Sequence, residues 1–281
     1  MAHHDDDERA AASRVVGGLL WRWRSPLGAA LVLLVAGFGL RLAWNQFNDQ
    51  IDRGPETLLV PERIEVRGIP AWVTSDLKWQ ALRNASLDMA LPLDDPDLER
   101  RLARAFDMHP WVEQVERVET SHPAAATVTI RCRVPVAMVR VEGGLLAIDA
   151  ESTVLPSADF TPAAAAAYPV IDGITTSPRG PEGATWGDPL VTEAAGLLAA
   201  IGPEWQKLGL RECRPRSAER GGGTWWELLG DDELCILFGS APGLAAPGEP
   251  VAAEKIIRLR AVSERHEAGE PLDDIDLTKP S

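Results

Sequence analysis

Histidines and clustered aspartates are the residues of this sequence best suited to chemistry, because such groups bind metal ions and transfer protons. His109, His122 and His266 each lack a companion Cys, Asp or Glu at the spacing of a zinc site. The aspartates within Asp94–Asp97 lack the alternation and the closing Glu of a calcium loop. We expect these aspartates to cap a helix N-terminus, and His109, as a cation, to favour a helix C-terminus.

Signatures of a nucleophile or a phosphate loop are also missing from the sequence. No G-x-S-x-G turn occurs, and Gly221–Gly223 is not followed by the Lys and Ser/Thr of a phosphate-binding loop. Asp231 and Glu233 would suit a membrane-tethered hydrolase if two such carboxylates faced each other in a cleft. With that hydrolase as an alternative, we predict a protein that is not an enzyme and has no catalytic residues, cofactor or metal.

The composition excludes nucleic acid as a partner and indicates a packed core. The chain has 281 residues with 28 Lys and Arg against 42 Asp and Glu, a net charge of −14, whereas phosphate binding needs a basic face. Hydrophobic residues make up 45%. Three cysteines, Cys132, Cys213 and Cys235, are too few for a disulfide framework. We expect isolated thiols, with a Cys213–Cys235 bridge as the alternative.

An uncharged apolar run, Pro26–Leu40, opens the segment 26–44 and is flanked by Trp21, Trp23 and Trp44. A membrane-spanning helix needs roughly 20 residues and carries aromatic residues at both interfaces. We therefore expect an uncleaved transmembrane helix, with a cleaved signal peptide and a buried helix as alternatives. The excess of arginines before it places the N-terminus in the cytoplasm; these are Arg9, Arg14, Arg22 and Arg24.

Residues 61–134 show a strand, two helices and two strands in succession. The last strand has the clearest alternation of apolar and polar residues, whereas the valines of the preceding strand recur every third residue, a spacing that also fits a helix. The expected elements are a strand at Ile64–Val66, a helix capped by Thr74 or Ser75, a helix capped by Asp95 with Pro96 in its first turn, a strand around Val112–Val118 and a strand at Thr127–Val134.

Beyond Pro135 the pattern is mostly β, with two helices. The expected elements are a hairpin of Val136–Val141 and Leu145–Ile148, a helix at Leu190–Ile201, a hairpin of Trp225–Leu229 and Leu234–Phe238, and a helix at Val251–Ser263. The fold class is therefore α+β: one N-terminal transmembrane helix, a β-α-α-β-β domain, and a mostly-β C-terminal domain with two flanking helices.

Several short motifs resemble the FtsQ/DivIB family of bacterial cell division proteins. They are Pro110-Trp111-Val112, Pro123, Arg133-Val134-Pro135-Val136-Ala137, Ile148-Asp149, Leu155-Pro156, Tyr168–Gly173 and Asp276-Leu277. Cys132 and Thr278 depart from the pattern, at positions where the family often has an acidic residue and an Arg. Relatives commonly continue with one more strand that pairs with a partner, so the resemblance implies that this edge is shortened or supplied by another strand.

The resemblance implies a polypeptide-transport-associated (POTRA) domain and a scaffolding function. The expected domains are a cytoplasmic tail at 1–25, the membrane helix at 26–44, a linker at 45–60, the POTRA domain at 61–134, the β domain at 135–277 and a C-terminal end at 278–281. The implied function is to bind FtsB/DivIC-like and FtsL-like partners at the inner membrane, so that wall synthesis begins at the septum. No small-molecule substrate is implied. A POTRA-containing outer-membrane assembly or secretion component is an alternative.

Two surfaces are candidates for binding those partners. Edge strands offer unpaired backbone groups to an extended segment, and exposed Trp is typical of binding surfaces. Trp225 and Trp226 are adjacent on one strand, so they point to opposite faces. We expect strand addition near Leu234–Phe238 and Ile275–Leu277, and a recruiting role for the helix Asp95–Met108. The candidate partner-binding residues are Trp225, Trp226, Ile236, Leu237, Phe238, Ile275 and Leu277.

Overall fold

The computed structural model describes residues 33–42, 44, 56–218, 223–230, 234–271 and 273–280. Contacts divide the chain into two units, residues 1–58 and residues 59–281. In the first unit, residues 33–42 and 44 are helical, whereas residues 26–32 and 43 of the expected membrane span lie outside the described residues. No helix among the described residues is long and apolar enough to cross a membrane. The expected fold class, which included an N-terminal transmembrane helix, is therefore corrected to α+β with no such helix among the described residues.

The N-terminal half of the second unit is built on a three-stranded sheet with strand order β2-β5-β4. In this sheet β2 runs parallel to β5, and β4 runs antiparallel to it. Two helices belong to this half, and α2 packs on β4. The elements are β1 (Leu58–Leu59), β2 (Ile64–Arg67), α1 (Leu77–Asn84), β3 (Leu91–Pro92), α2 (Leu98–Asp107), β4 (Val112–Ser121) and β5 (Ala125–Cys132).

Both helix starts differ from the sequence prediction. Asp76 caps α1, because its Oδ1 accepts from the Trp79 N–H at 3.2 Å, whereas Thr74 and Ser75 face another carboxylate. Asp95 caps the turn before α2, where its Oδ1 accepts from the Asp97 N–H at 2.9 Å. Local spacing identified the turn but not the capping residue, because several neighbouring side chains are competent caps.

The three-residue spacing of valines in β4 has a structural explanation. The register of β4 against β5 shifts after Val112 and again after Val115. Each shift is a β-bulge, which inserts one extra residue and so turns a period of two into a period of three. Val112, Val115 and Val118 thereby lie opposite Cys132, Ile130 and Val128 of β5. The strand prediction is confirmed, and the bulges keep all three valines on one face.

The C-terminal half of the second unit is built on a seven-stranded sheet with strand order β12-β11-β10-β9-β8-β6-β7. The predicted hairpins, β6 with β7 and β10 with β11, are confirmed, and α4 and α6 match the predicted helices. The elements are β6 (Ala137–Val141), β7 (Gly144–Ile148), α3 (Pro162–Ala165), β8 (Val170–Ile171), α4 (Pro189–Ile201), α5 (Glu204–Lys207), β9 (Leu210–Ser217), β10 (Thr224–Gly230), β11 (Cys235–Gly239), α6 (Ala252–Glu267) and β12 (Ile275–Asp276).

Sequence reasoning missed β9, which pairs with β8 and β10. Proline lacks an N–H and is usually confined to edge strands, so Pro215 is unusual in the interior strand β9. Cys213 faces β8, because its carbonyl accepts from the Asp172 N–H at 3.0 Å. Pro215, two residues later, faces the same side beyond the end of β8, so its missing N–H leaves no ladder bond unmade.

A buried carboxylate, Asp159, connects the two sheets. Its Oδ1 accepts from the Thr74 hydroxyl at 2.7 Å and the Ser75 N–H at 2.5 Å. Its Oδ2 accepts from the Ser75 hydroxyl at 2.9 Å and the Trp111 indole N–H at 2.5 Å. Burial alone would raise the pKa of Asp159, but the hydrogen bonds from Thr74, Trp111 and Ser75 outweigh it and lower the pKa. One side chain thus fastens α1 and β4 to the segment that follows β7.

A second carboxylate, Asp149, makes a similar connection after β5. Arg133 donates to Asp149 Oδ2 at 2.8 Å and to the Thr153 hydroxyl at 3.2 Å. Asp149 is 2% exposed, and its Oδ1 also accepts from the Glu151 and Thr153 N–H groups. A buried ion pair stabilises only when its remaining oxygens are hydrogen bonded, which is the case here. Arg133 and Asp149 both belong to the family-like motifs, which gives those motifs a packing role.

Candidate protein-binding surface

The seven predicted partner-binding residues all lie at the β12 end of the seven-stranded sheet. Of the two segments expected for strand addition, the one that forms β11 lies between β10 and β12, and the one that contains β12 lies at the edge. β12 is the true edge: it runs parallel to β11, with Ile275 opposite Ile236 and Asp276 opposite Leu237. Leu277 continues the pairing by donating its N–H to Leu237 C=O at 2.9 Å. Any strand that adds here must therefore pair with β12.

Burial separates the candidate residues into two groups. Trp226, Ile236, Phe238 and Leu277 are at most 1% exposed and belong to the core beneath α4 and α6. Trp225, Leu237 and Ile275 are partly exposed. Only this second group can contact a partner directly, and a change in the first would disturb the core.

A strip of partly exposed apolar residues crosses the sheet on the face away from Trp226. It consists of Trp225 and Leu229 on β10 with Cys235 and Leu237 on β11, and we call it the apolar strip. Leu229 lies directly opposite Cys235, and Glu227 lies opposite Leu237. The indole N–H of Trp225 is buried and has no hydrogen-bond partner among the described residues. The strip therefore offers apolar area, part of which lies on β11, the strand next to the edge.

Four charged side chains on β9 and the neighbouring segments form ion pairs beside the apolar strip. Arg140 contacts Asp172 and Glu212 at 3.0 Å each, and Arg214 contacts Asp172 at 3.1 Å and Glu212 at 2.5 Å. Each arginine thus bridges both carboxylates, so the four side chains form a closed ring. Charges that neutralise one another contribute little long-range field. The apolar strip is consequently the less polar end of this face.

Contacts from α6 hold β12 in place. Arg258 donates to the carbonyls of Asp276 at 3.3 Å and Lys279 at 2.7 Å. The Asp276 carboxylate accepts from the Thr278 N–H at 2.9 Å and the Thr278 hydroxyl at 2.5 Å, and it pairs with Lys279 at 2.8 Å. An edge strand presents unpaired backbone groups, and Arg258 covers one of them. The edge is thus short and partly protected.

A buried ion pair supports the C-terminal end of β11, where the strand ends at Gly239. Lys255 on α6 is 0% exposed and pairs with Glu249, which also accepts from the Ser240 N–H and hydroxyl at 2.7 Å each. Desolvation is the largest effect on Lys255 and lowers its pKa. Gly239 adjoins the pair at φ +83°, and a Cβ there would lie 2.2 Å from Glu249 Oε1. No other residue fits that position without displacing the pair.

The residues considered for chemistry are placed as follows. His109 is buried, accepts from the Trp111 N–H through Nδ1 at 3.3 Å and contacts Gln80 Oε1 through Nε2 at 3.1 Å. This arrangement requires the neutral ring with the proton on Nε2. Burial lowers the pKa of His109, opposed by the charge of Asp159, so the expected cationic role is wrong.

Among the described residues, the remaining chemical candidates do not form a set with the geometry of an active site. Asp231 and Glu233 lie outside the described residues. A cavity of about 120 Å³ beside Ile275 is lined by Arg265, His266, Glu270 and Asp273, and no Ser, Thr or Cys lines it. All three cysteines are free. No group of three His, Cys, Asp or Glu suited to a metal ion occurs within the described parts of the chain.

The chain matches no protein-family model, and a search of curated proteins finds no significant match.

Proposed function

We propose that this protein is a non-catalytic scaffold that binds extended segments of partner proteins at the β12 edge of its seven-stranded sheet. The observation that carries the proposal is the position of the apolar strip directly beside a two-residue edge strand. A segment that pairs with β12 would gain backbone hydrogen bonds, and its side chains on one face would reach Leu237.

The motifs shared with the FtsQ/DivIB family extend the proposal to bacterial cell division. Under it, the partners are FtsB/DivIC-like and FtsL-like proteins, and the site of action is the division septum. Support comes from Arg133 and Asp149, which occupy family-like motifs and form the buried pair between the two sheets. A scaffold of this kind works by combining several weak interfaces, which raises the effective concentration of its partners.

The test combines partner capture with imaging of dividing cells. Leu237→Glu places a charge on the apolar strip without entering the core, because Leu237 is only partly buried. Leu244→Glu is the matched control, since Leu244 is 55% exposed and outside the sheet. We expect Leu237→Glu to weaken capture of FtsB/DivIC-like and FtsL-like proteins at least about tenfold. We also expect it to reduce septal fluorescence of the tagged full-length protein.

Two outcomes would contradict the proposal. Unchanged capture by Leu237→Glu would remove the β12 end as the binding site. Absence of the tagged wild-type protein from the septum would remove the division role. A deletion of residues 61–134 separately tests recruitment through α2: septal fluorescence that survives the deletion excludes that helix as the recruiting element.

A further inference from the structure

The opposite edge of the seven-stranded sheet, strand β7, is covered along only half of its length. Leu155 donates to Ala147 C=O at 2.8 Å, and Val154 bridges Ile148, so the C-terminal half is occupied. Ile148 C=O instead accepts from Val136, on the β6 side, at 2.8 Å. Residues alternate sides along a strand, so the N–H and C=O of Leu145 point away from β6, as those of Ala147 do.

Leu145 therefore presents a free donor and a free acceptor at this edge. Neither group has a hydrogen-bond partner within the described parts of the chain. Such a pair recognises the backbone of an extended chain, because one residue of that chain satisfies both groups at once. The edge is therefore selective for a ligand whose backbone is extended.

A cavity of about 240 Å³ adjoins the same edge. Met138, Leu145 and Ala147 line it from the sheet, and Phe160, Pro162 and Ala165 line it from the segment that follows β7. Its volume is about eight times the roughly 30 Å³ that one water occupies, and its walls are mostly apolar. The cavity is suited to one large apolar side chain. In strand addition, a pocket beside the edge supplies specificity while the backbone supplies affinity.

The hydroxyl of Ser157 provides an independent indication that the cavity takes a ligand. Ser157 lines the cavity, and its Oγ is buried without a hydrogen-bond partner among the described residues. Burying a hydroxyl without a partner costs free energy, so such groups need an explanation. Rotation of the Ser157 side chain toward the cavity would let a carbonyl of an incoming segment accept from this hydroxyl and would remove the cost.

The charges around the cavity indicate the character of the ligand. Glu142 is exposed in the turn that leads into β7, and Glu182 accepts from the Ser157 N–H at 3.1 Å at the other side. Arg140 on β6 lies opposite Leu145 but is already paired with Asp172 and Glu212. The surroundings are therefore acidic, and they favour a segment with basic residues beside its apolar one.

We propose that the β7 edge and its cavity bind an extended, basic segment of another polypeptide. The segment pairs with the backbone of Leu145, places one large apolar side chain in the cavity and accepts from the Ser157 hydroxyl. This site is separate from β12 and goes beyond the proposed function. With both sites occupied, the two edges of one sheet hold two partner segments at once.

Fluorescence anisotropy of a labelled peptide, KTKVLVKTK, with the full-length protein tests the site. We expect saturable binding that weakens at least about tenfold when the central Leu becomes Asp or when every Lys becomes Glu. Ala165→Leu fills the cavity and should weaken binding by a similar factor. The matched control is Ala164→Leu, because Ala164 is the exposed neighbour in α3. Leu244→Glu, at an exposed position outside the sheet, should also leave binding unchanged.

A photo-crosslinking experiment on the wild-type protein guards against misfolding of the Ala165→Leu variant. A benzoylphenylalanine at the centre of the peptide should crosslink to Met138 or to the segment 157–165. No saturable binding, equal binding of the charge-reversed peptide, or crosslinks outside the cavity would overturn the proposal. A wild-type dimer that Ala165→Leu disperses would overturn it too, since the occupant would then be a second copy of this chain.

Discussion

Trp111 donates its indole N–H to Asp159 Oδ2 at 2.5 Å, which joins the start of β4 to the segment between β7 and α3. Both residues are buried, and Phe160 packs against the Trp111 ring with centroids 5.9 Å apart. A buried carboxylate that accepts four hydrogen bonds is stable as an anion and holds every donor in a fixed direction. Together with the Arg133–Asp149 pair, this contact connects the parts of the chain built on the two sheets.

Asp159→Asn should therefore lower the free energy of unfolding by about 2–3 kcal/mol, as expected when hydrogen bonds to a charged group are lost. An amide NH₂ on one side of Asn would face donors that no longer have an acceptor. Urea unfolding monitored by Trp fluorescence measures the effect. Glu151→Gln makes the same change of carboxylate to amide at an exposed position and should stay within about 0.5 kcal/mol of wild type. Equal stability of the two variants would refute the role given to Asp159.

Stability should fall in two steps as the pH is lowered. Burial lowers the pKa of His109, so its contribution is complete above the unfolded pKa of about 6.5 and declines as the pH falls. Hydrogen bonds lower the pKa of Asp159 against the effect of burial, so its contribution is complete above about pH 4 and is lost as the pH falls through the folded pKa.

The free energy of unfolding, measured in urea between pH 8 and pH 3, checks this order. His109→Gln should abolish the step that begins below about pH 6.5, because the glutamine does not titrate. His122→Gln is the control at an exposed position and should keep it. A first step that persists in His109→Gln would assign it to another group.

Removing one partner of the Arg133–Asp149 pair should cost about 3–5 kcal/mol, because the other charge stays buried. Arg133→Ala is the test, since the Asp149 side chain is only 2% exposed. The matched control is Arg67→Ala. Arg67 and Glu65 also form an ion pair, with N and O atoms 2.9 Å apart, but their side chains are 62% and 60% exposed. Solvent screens such exposed pairs, so they contribute little to stability. Chemical denaturation of both variants measures the difference, and similar losses would contradict the buried character of the first pair.

Gly239→Ala should loosen β12, whereas Gly143→Ala should not. Both glycines have positive φ, +83° and +98°, so both substitutions strain the backbone. Only at Gly239 does the added Cβ meet other atoms: Glu249 Oε1 at 2.2 Å and the Thr278 side chain at 2.7 Å. Hydrogen exchange of the Leu277 amide, which donates to Leu237, reports the pairing of β12. We expect exchange at least about tenfold faster in Gly239→Ala than in Gly143→Ala. Equal rates would show that the buried ion pair does not support this edge.

Local patterns in the sequence were sufficient for most individual elements. Alternating Val128, Ile130 and Cys132 predicted β5, and helical spacing of Leu98 and Leu102 predicted α2. These signals depend on neighbours in the chain, because one buried face imposes its period on the residues that form it. The period of three in Val112–Val118 was ambiguous, since bulges that change the period depend on the partner strand.

The order of strands and the open edges were decided only by the tertiary structure. No local pattern shows that the two-residue β12 covers β11, or that Leu155 covers half of β7 and leaves Leu145 open. The residues around Asp159 in the sequence indicate only a loop, yet its donors Thr74 and Ser75 lie more than 80 positions away in the chain. Such contacts form between segments that are distant in the chain, so their partners are fixed by packing of the whole fold and not by the period of any one segment.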